Sequence, residues 1–390
     1  VIPKEEILAL RAEWGLRDDV IEKDYVLGWV LAAIGSHPKL KESWLFKGGT
    51  ALRKCYLETY RFSEDLDFTV LPGGPESPED LKPIFVEIAK TLAVTGVELV
   101  VDETSFRRRK NKREKPTTEG RIGYRGPRAA PGLPKVKLDI TTDERVVGAP
   151  ESRAIMHAYS DRLFEDAAVR CYSFDELMAE KIRALAERCR PRDLYDVVQM
   201  HRREELTSSP ANVLHALQEK CAFARIAVPT WASTARSPFR GELETEWENM
   251  LGHQLPNLPP ITEYWARLEE VFRWLEGERS KSLPRAELKR TPTSSWAPPT
   301  TLHSWRQGFP LELVRFAGAN LLKVRLDYQA EQGRRGWRTV EPYSLRRSDD
   351  GDLLLFVVND SGELRSYRVD RVAGAEVTSE TFVPQYRVEF

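Results

Sequence analysis

The sequence predicts an α/β (α+β) core with a helical second half, followed by a small all-β unit at the C-terminal end. Three observations carry this expectation. Residues 62–70 and 136–141 alternate apolar and polar side chains, as half-buried strands do, and lie among stretches with helical spacing. Residues 173–278 are dominated by helical spacing. Beyond a proline-rich stretch, short runs of apolar residues recur between Gly, Asp and Asn turns.

Taken in order, residues 4–35 read as two helices, the second opened by Asp18 and Asp19 and carrying Ile21, Val26, Leu27, Val30 and Ile34 on its apolar face. The segment Trp44-Leu-Phe-Lys-Gly-Gly-Thr50 follows, with Thr50 expected to cap a helix that runs through Glu58. Phe62-Ser-Glu-Asp-Leu-Asp-Phe-Thr-Val70 reads as a strand, residues 71–78 as a loop, 79–95 as a helix and 96–103 as a strand. Residues 104–134 are polar and basic, with a short strand expected at 122–124, and Val136-Lys-Leu-Asp-Ile-Thr141 reads as the next strand. Ser173-x-x-Glu176 is a capping box at the head of a helix that ends near Arg188, and Pro191 opens another. Residues 279–310 hold five prolines among Ser, Thr and basic residues, which predicts a linker. The expected division is 1–205 for the core, 206–280 for a helical domain, 281–310 for the linker and 311–390 for the β unit.

Composition narrows the function classes. The 390 residues carry 59 Lys and Arg against 60 Asp and Glu, a net charge of −1. Attraction to nucleic acid must therefore come from a local patch. The longest apolar stretch, residues 25–34, is too short to span a bilayer, which needs about 20 residues. Lys4, Glu5 and Glu6 stand where a leader would enter its apolar core, so no leader is expected. The four scattered cysteines form no CxxC pair, and the chain is expected in a reducing, cytoplasmic setting with no membrane partner.

Asp65 and Asp67 sit at i and i+2 of one strand and leave the same face, while Leu66 and Phe68 point into a core. Two carboxylates on one face repel unless a cation lies between them, and Mg²⁺ is suited to one or two carboxylates plus substrate phosphates. If the strand carrying Asp139 is its neighbour, Asp139 completes a three-carboxylate site able to hold two metals. Gly48-Gly49 lets the backbone approach a polyphosphate at a helix start. Each feature alone is ordinary: an Asp-x-Asp strand is more often a solvated edge, and Gly-Gly an ordinary turn.

Together these residues carry a resemblance. Phe46-Lys-Gly-Gly-Thr-Ala-Leu-Arg-Lys54 and Arg61-Phe-Ser-Glu-Asp-Leu-Asp-Phe68 resemble the first motif of the AbiEii/AbiGii toxin family, a branch of the DNA polymerase β-like nucleotidyltransferases. Glu22-Lys-Asp-Tyr-Val-Leu27, Lys137-Leu-Asp-Ile140, Glu180-Lys-Ile-Arg-Ala-Leu185 and Arg192-Asp-Leu-Tyr-Asp196 resemble its other conserved stretches, in the family's order. The resemblance implies that Asp65, Asp67 and Asp139 bind Mg²⁺ or Mn²⁺. It implies that Gly48, Gly49, Thr50, Lys54 and Ser63 form the nucleotide-binding set, that Lys181 contacts the triphosphate of an NTP, and that Asp193 is a polar catalytic residue, a base among its candidate roles. Members resemble bacterial toxins of type IV toxin–antitoxin and phage-defence systems. The implied partners are RNA, tRNA in particular, and a cognate antitoxin.

On the residues alone, Lys181 is a mid-helix lysine beside an apolar stripe, which usually means a snorkelling side chain. Asp193 follows Pro191 at a helix start, where the dipole favours a carboxylate in any case. Asp196 is expected to pair with a neighbouring Arg. The run Arg107-Arg-Arg-Lys-Asn-Lys-Arg-Glu-Lys115 has seven basic residues in nine. It reads either as a solvated loop or as a surface on which Arg107, Arg108, Arg109, Lys110, Lys112 and Arg113 steer an RNA backbone.

At the C-terminal end, Val340-Glu-Pro-Tyr-Ser-Leu345, Gly351-Asp-Leu-Leu-Leu355 and Arg365-Ser-Tyr-Arg-Val-Asp-Arg371 resemble a WYL domain, an SH3- or Sm-like β barrel that senses ligands, nucleic acids among them. Leu353-Leu354-Leu355 stand where Trp-Tyr-Leu is expected. Tyr343, Arg365, Tyr367 and Arg368 are the candidate ligand contacts. The reading that results is an Mg²⁺-dependent transfer of NMP from an NTP to an RNA 3′ end. Two alternatives stay open: a protein-modifying or kinase-like enzyme, and a non-catalytic sensor acting through the WYL-like unit.

Overall fold

The computed structural model describes residues 1–57, 61–111, 113–203, 206–207, 209–278, 283–288, 311–330 and 333–390. The chain opens with α1 (Lys4–Trp14) and α2 (Asp18–Ser36), the latter buried nearly all round. β1 (Trp44–Lys47) runs into α3 (Gly48–Ala51), which continues as a π-helical turn, Leu52–Tyr56. Lys47 is the N-cap, three residues before the expected cap at Thr50. It ends at Tyr56 with Leu57 extended, short of Glu58, which lies outside the described residues.

β2 (Asp65–Val70) is followed by α4 (Pro78–Ala93), whose cap Ser77 accepts from the backbone of Asp80 at 3.1 Å. Then come β3 (Glu98–Val100), β4 (Phe106–Lys110), β5 (Pro116–Arg125), β6 (Lys135–Thr141), β7 (Glu151–Ala154) and β8 (Ala168–Cys171). Their order in one sheet is β3-β5-β6-β2-β1-β8-β7, with β4 added on β5. β2 pairs with β6, and β1 with β8, in parallel; the remaining neighbours are antiparallel. One face of this sheet is apolar: Trp44, Phe46 and Phe68 pack together, and Trp44 meets Phe85 of α4. Burying these rings on one side leaves the alternate residues of β1, β2 and β6 on the other.

The helical half comprises α5 (Phe174–Arg188), α6 (Pro191–His201), α7 (Pro210–Ala224), α8 (Trp231–Ala235), α9 (Arg240–Leu251) and α10 (Ile261–Leu275). Ser173 caps α5 through the backbone N–H of Glu176 at 3.3 Å. The reciprocal half of the expected capping box is absent, because Glu176 accepts instead from Val147 and Gly148 and pairs with the buried Lys220.

After α11 (Leu311–Ala319), the C-terminal unit is an antiparallel sheet in the order β12-β11-β10-β9-β13, from β9 (Leu322–Gln329), β10 (Arg335–Arg347), β11 (Leu353–Asn359), β12 (Leu364–Arg368) and β13 (Val372–Thr381). It is docked on the helical half. The Oδ1 of Asn320, just past α11, accepts from Tyr195 (3.1 Å), Gln199 (2.8 Å) and Tyr264 (2.9 Å), all buried. Most of the expected linker, 289–310, lies outside the described residues.

Candidate active site

Strand pairing assembles the site. β2 and β6 are neighbours, and their register sets Asp65 beside Lys137 and Asp67 beside Asp139. Asp65, Asp67 and Asp139 therefore share one face, with Leu66, Phe68 and Leu138 fully buried on the other. Asp67 lies deepest. Gly48 has φ +80, and a Cβ there would collide with the Asp67 carboxylate, so the glycine turn and this side chain occupy one space. Burial, reinforced by the charge of Asp139, pushes the Asp67 carboxyl up to about 6, against the pull of Lys47. Among the described residues, no cation forms an ion pair with Asp67. Lys137, by contrast, lies 2.7 Å from Asp139 and 3.7 Å from Asp65.

Beneath the carboxylates, Lys47 is the register partner of Asp67 on β1. It is buried and bonds Glu180 of α5 at 3.0 Å and Glu144 at 3.2 Å. Although burial opposes its ionisation, the Lys47 charge leads in holding the Glu180 carboxyl down to about 2.

A second wall comes from α5 and α6. Lys181 reaches Asp196 at 2.7 Å and Asp193 at 4.0 Å. Both oxygens of Asp193 are taken by Arg188, at 2.6 and 2.7 Å, and both oxygens of Asp196 by Arg61, at 2.7 and 2.9 Å. Arg61 also donates to Gln254 and to the Phe62 carbonyl. Burial would raise the Asp196 carboxyl, but Arg61 and Lys181 hold it far below the ordinary range. A Cβ on Gly49 would meet Arg61 and Ser63, so the glycine turn lies against this wall as well. Three cations face two carboxylates here, leaving one positive charge beside the turn.

The structure thus brings together Gly48, Gly49, Ser63, Asp65, Asp67, Asp139, Lys181 and Asp193. Two expected nucleotide contacts are otherwise engaged. The Thr50 hydroxyl is buried and donates to the Asp65 carbonyl at 2.5 Å, tying α3 to β2. Lys54 is buried on the far side of the π-helical turn, bonded to Asp24 at 2.6 Å beside Arg53 and Tyr159, where it lines a cavity of about 1150 Å³ with His157 and Arg153. Arg61, Arg188, Lys47, Lys137 and the full part played by Asp196 were not singled out by the sequence. Lys47, Arg61 and Lys137 lie within the stretches that carry the resemblance, and Lys137 also stands two residues before Asp139 on one strand.

The basic run is a strand rather than a loop over Phe106–Lys110. Register places Arg107 opposite Glu119 and Glu119 opposite Asp139, so Arg107 and Arg109 share the carboxylate face. Arg108 turns to the opposite face and pairs with Glu76, Lys110 pairs with Glu114, and Arg113 pairs with Asp143 and covers the Phe223 ring. Lys112 lies outside the described residues.

The four C-terminal candidates do not converge. Tyr343 is fully buried in a small cluster with Phe356 and Phe382 and donates to Glu341. Tyr367 stacks on Tyr328 at 4.5 Å on the opposite face, which Arg365 shares by alternation. Arg368 is engaged by Asp352 and Asp370. Large side chains at 343 and 367 fill the two cores of this sheet instead of lining a common pocket.

No curated protein matches the chain. Among solved structures, MenT4, a nucleotidyltransferase toxin from Mycobacterium tuberculosis, is similar at 19% identity over 72% of this chain and 91% of that one, with a TM-score of 0.46. The WYL domain family matches residues 311–377. The family described as nucleotidyl transferase AbiEii toxin, type IV toxin–antitoxin system, matches residues 29–275. That match spans more than half of the sequence, and the chain belongs to the AbiEii nucleotidyltransferase toxin family.

Proposed function

We propose that the chain transfers NMP from an NTP to the 3′-hydroxyl of an RNA, with tRNA as the acceptor class, in a reaction that depends on Mg²⁺ or Mn²⁺. The observation that carries this reading is the pairing of two opposed surfaces at one glycine turn: carboxylates on β2 and β6, and the Lys181–Arg188–Arg61 wall. In the reaction the acceptor oxygen bonds the α-phosphorus, the bond from that phosphorus to the bridging oxygen breaks, pyrophosphate leaves, and the hydroxyl proton is released.

The residues fit a divalent cation. Asp67 is half-buried, beside another carboxylate, and without an ion-pair partner among the described residues, which is a costly arrangement that a cation would relieve. Asp65 and Asp67 would hold it. When bound, it would supply charge stabilisation at the reacting phosphate. The protein's own residues do the rest. The backbone at Gly48 and Gly49 admits the phosphates closely, and Lys181 and Arg188 offer the positive charge they need. Asp193 has both oxygens engaged by Arg188 and acts as the carboxylate that aims that guanidinium, not as a proton acceptor. Catalysis by positioning and electrostatics suits phosphoryl chemistry.

Arg107, Arg109 and the neighbouring Arg121 extend the carboxylate face outward on β4 and β5, and this supports an RNA backbone as the partner of that face. Family membership implies a cognate antitoxin and a bacterial cytoplasmic setting. Among the described residues, no helix is long and apolar enough to cross a membrane. The test incubates the chain with each α-labelled NTP, Mg²⁺ and total bacterial RNA. Label on RNA is expected; label on protein alone would move the reading to protein modification.

A further inference from the structure

We propose that the site takes a single divalent cation, on Asp65 and Asp67, and that Lys137 stands in for a second by holding Asp139. This rests on the metal-dependent reading above and deepens it. The three carboxylates share a face but not a charge environment. Asp67 has no cation within ion-pair distance among the described residues, whereas Asp139 is bonded to the Lys137 ammonium at 2.7 Å, and the same ammonium lies 3.7 Å from Asp65. Among the described residues, no group of three or more Asp, Glu, His or Cys side chains is arranged to hold one ion.

The placement of Lys137 is built into the strand. Residues i and i+2 of β6 leave the same face, so the alternation that delivers Asp139 to the site delivers Lys137 with it. The next acid outward, Glu119 on β5, is already matched by Arg121 at 2.9 Å and Arg109 at 3.7 Å. Lys137 is therefore the cation left to neutralise Asp139. Lys137 is a positioning residue in this scheme: it keeps Asp139 at the rim of the site, on the side of the basic β4–β5 surface where the acceptor would arrive, instead of letting it turn inward as a ligand.

The test counts Mn²⁺ bound to the full chain by electron paramagnetic resonance, in the presence of a non-hydrolysable α,β-methylene nucleoside triphosphate. One Mn²⁺ per chain is expected for the wild type and for Lys137→Arg, and two for Lys137→Met, which keeps the aliphatic stem and removes the charge. Two ions in the wild type, or one in a folded Lys137→Met, would overturn the inference and leave the transferase reading standing. No Mn²⁺ bound to the wild type would overturn the metal-dependent reading itself, and this inference with it.

Discussion

Gly48 and Asp67 occupy one space, and this makes a methyl group at position 48 a sharp probe of the site. Gly48→Ala would both strain a backbone at φ +80 and drive the Asp67 carboxylate out of place. A misplacement of about 1 Å at a reacting group costs on the order of 100-fold in rate. Transfer should therefore fall by about that factor, while far-ultraviolet circular dichroism stays that of the wild type. Asp67 also sets a pH dependence. Its carboxyl is pushed up to about 6 from an ordinary 3.8, chiefly by burial and then by Asp139. The fold thus binds this proton more readily than the unfolded chain does. The stability it contributes is complete below 3.8 and is lost as pH rises through about 6. The metal-free protein should lose more Tm between pH 4 and pH 7 than Asp67→Asn does. Mg²⁺ should restore Tm more strongly at pH 7 than at pH 5, because below about 6 a proton competes for the same carboxylate. The shared face of Asp65 and Asp67 was legible in the sequence because strand alternation is local. The depth of Asp67 was not, since it depends on the register of β1 and on the conformation of Gly48.

Among the elements, β4 and α6 each divide their side chains between two faces. On β4, Arg107 and Arg109 face with the carboxylates while Arg108 and Lys110 face away. Arg107→Glu/Arg109→Glu should weaken RNA binding across sequences and lower the salt dependence by about one unit of slope per lost phosphate contact. Arg108→Glu/Lys110→Glu should leave both nearly unchanged; fluorescence anisotropy at several salt concentrations measures each. Four consecutive basic residues carry no hydrophobic period, so the sequence concealed the strand, which pairing with β5 creates. On α6, Asp193 and Asp196 meet the site, while Tyr195 and Gln199 meet Asn320. Helical spacing made α6 legible, but not the two long-range partners that decide which face does what. The wider π-helical turn after α3 had no such signature. It accompanies the burial of Lys54 against Asp24, away from the Gly48–Gly49 turn.

For the whole molecule, the consequence of the Asn320 contacts is that the C-terminal sheet is part of the same packed body as the helices. The acceptor at Asn320 satisfies donors from residues 121 to 125 positions earlier in the chain, as well as Tyr264. Asn320→Ala should cost about 1–3 kcal/mol for each donor left unsatisfied. Deleting residues 311–390 should lower the Tm of what remains and not merely remove a module; a truncated chain with an unchanged Tm would contradict this. The α/β core, the helical half and the all-β end were all legible from period and punctuation. The docking was not, because a single asparagine in a turn looks like any other turn residue until the tyrosines that meet it are known. The same holds for Arg61, whose Asp196 partner lies 135 residues away.

If the Asp65–Asp67 face and the Lys181 wall together transfer a nucleotide to RNA, transfer depends on the Asp67 carboxylate. The most direct measurement compares wild type with Asp67→Ala in the α-labelled NTP assay with Mg²⁺, mapping the label on the RNA by nuclease digestion. Label is expected at the 3′-terminal nucleotide with wild type and nowhere with the folded variant. Label retained by Asp67→Ala, or label placed within the RNA chain by wild type, would contradict it.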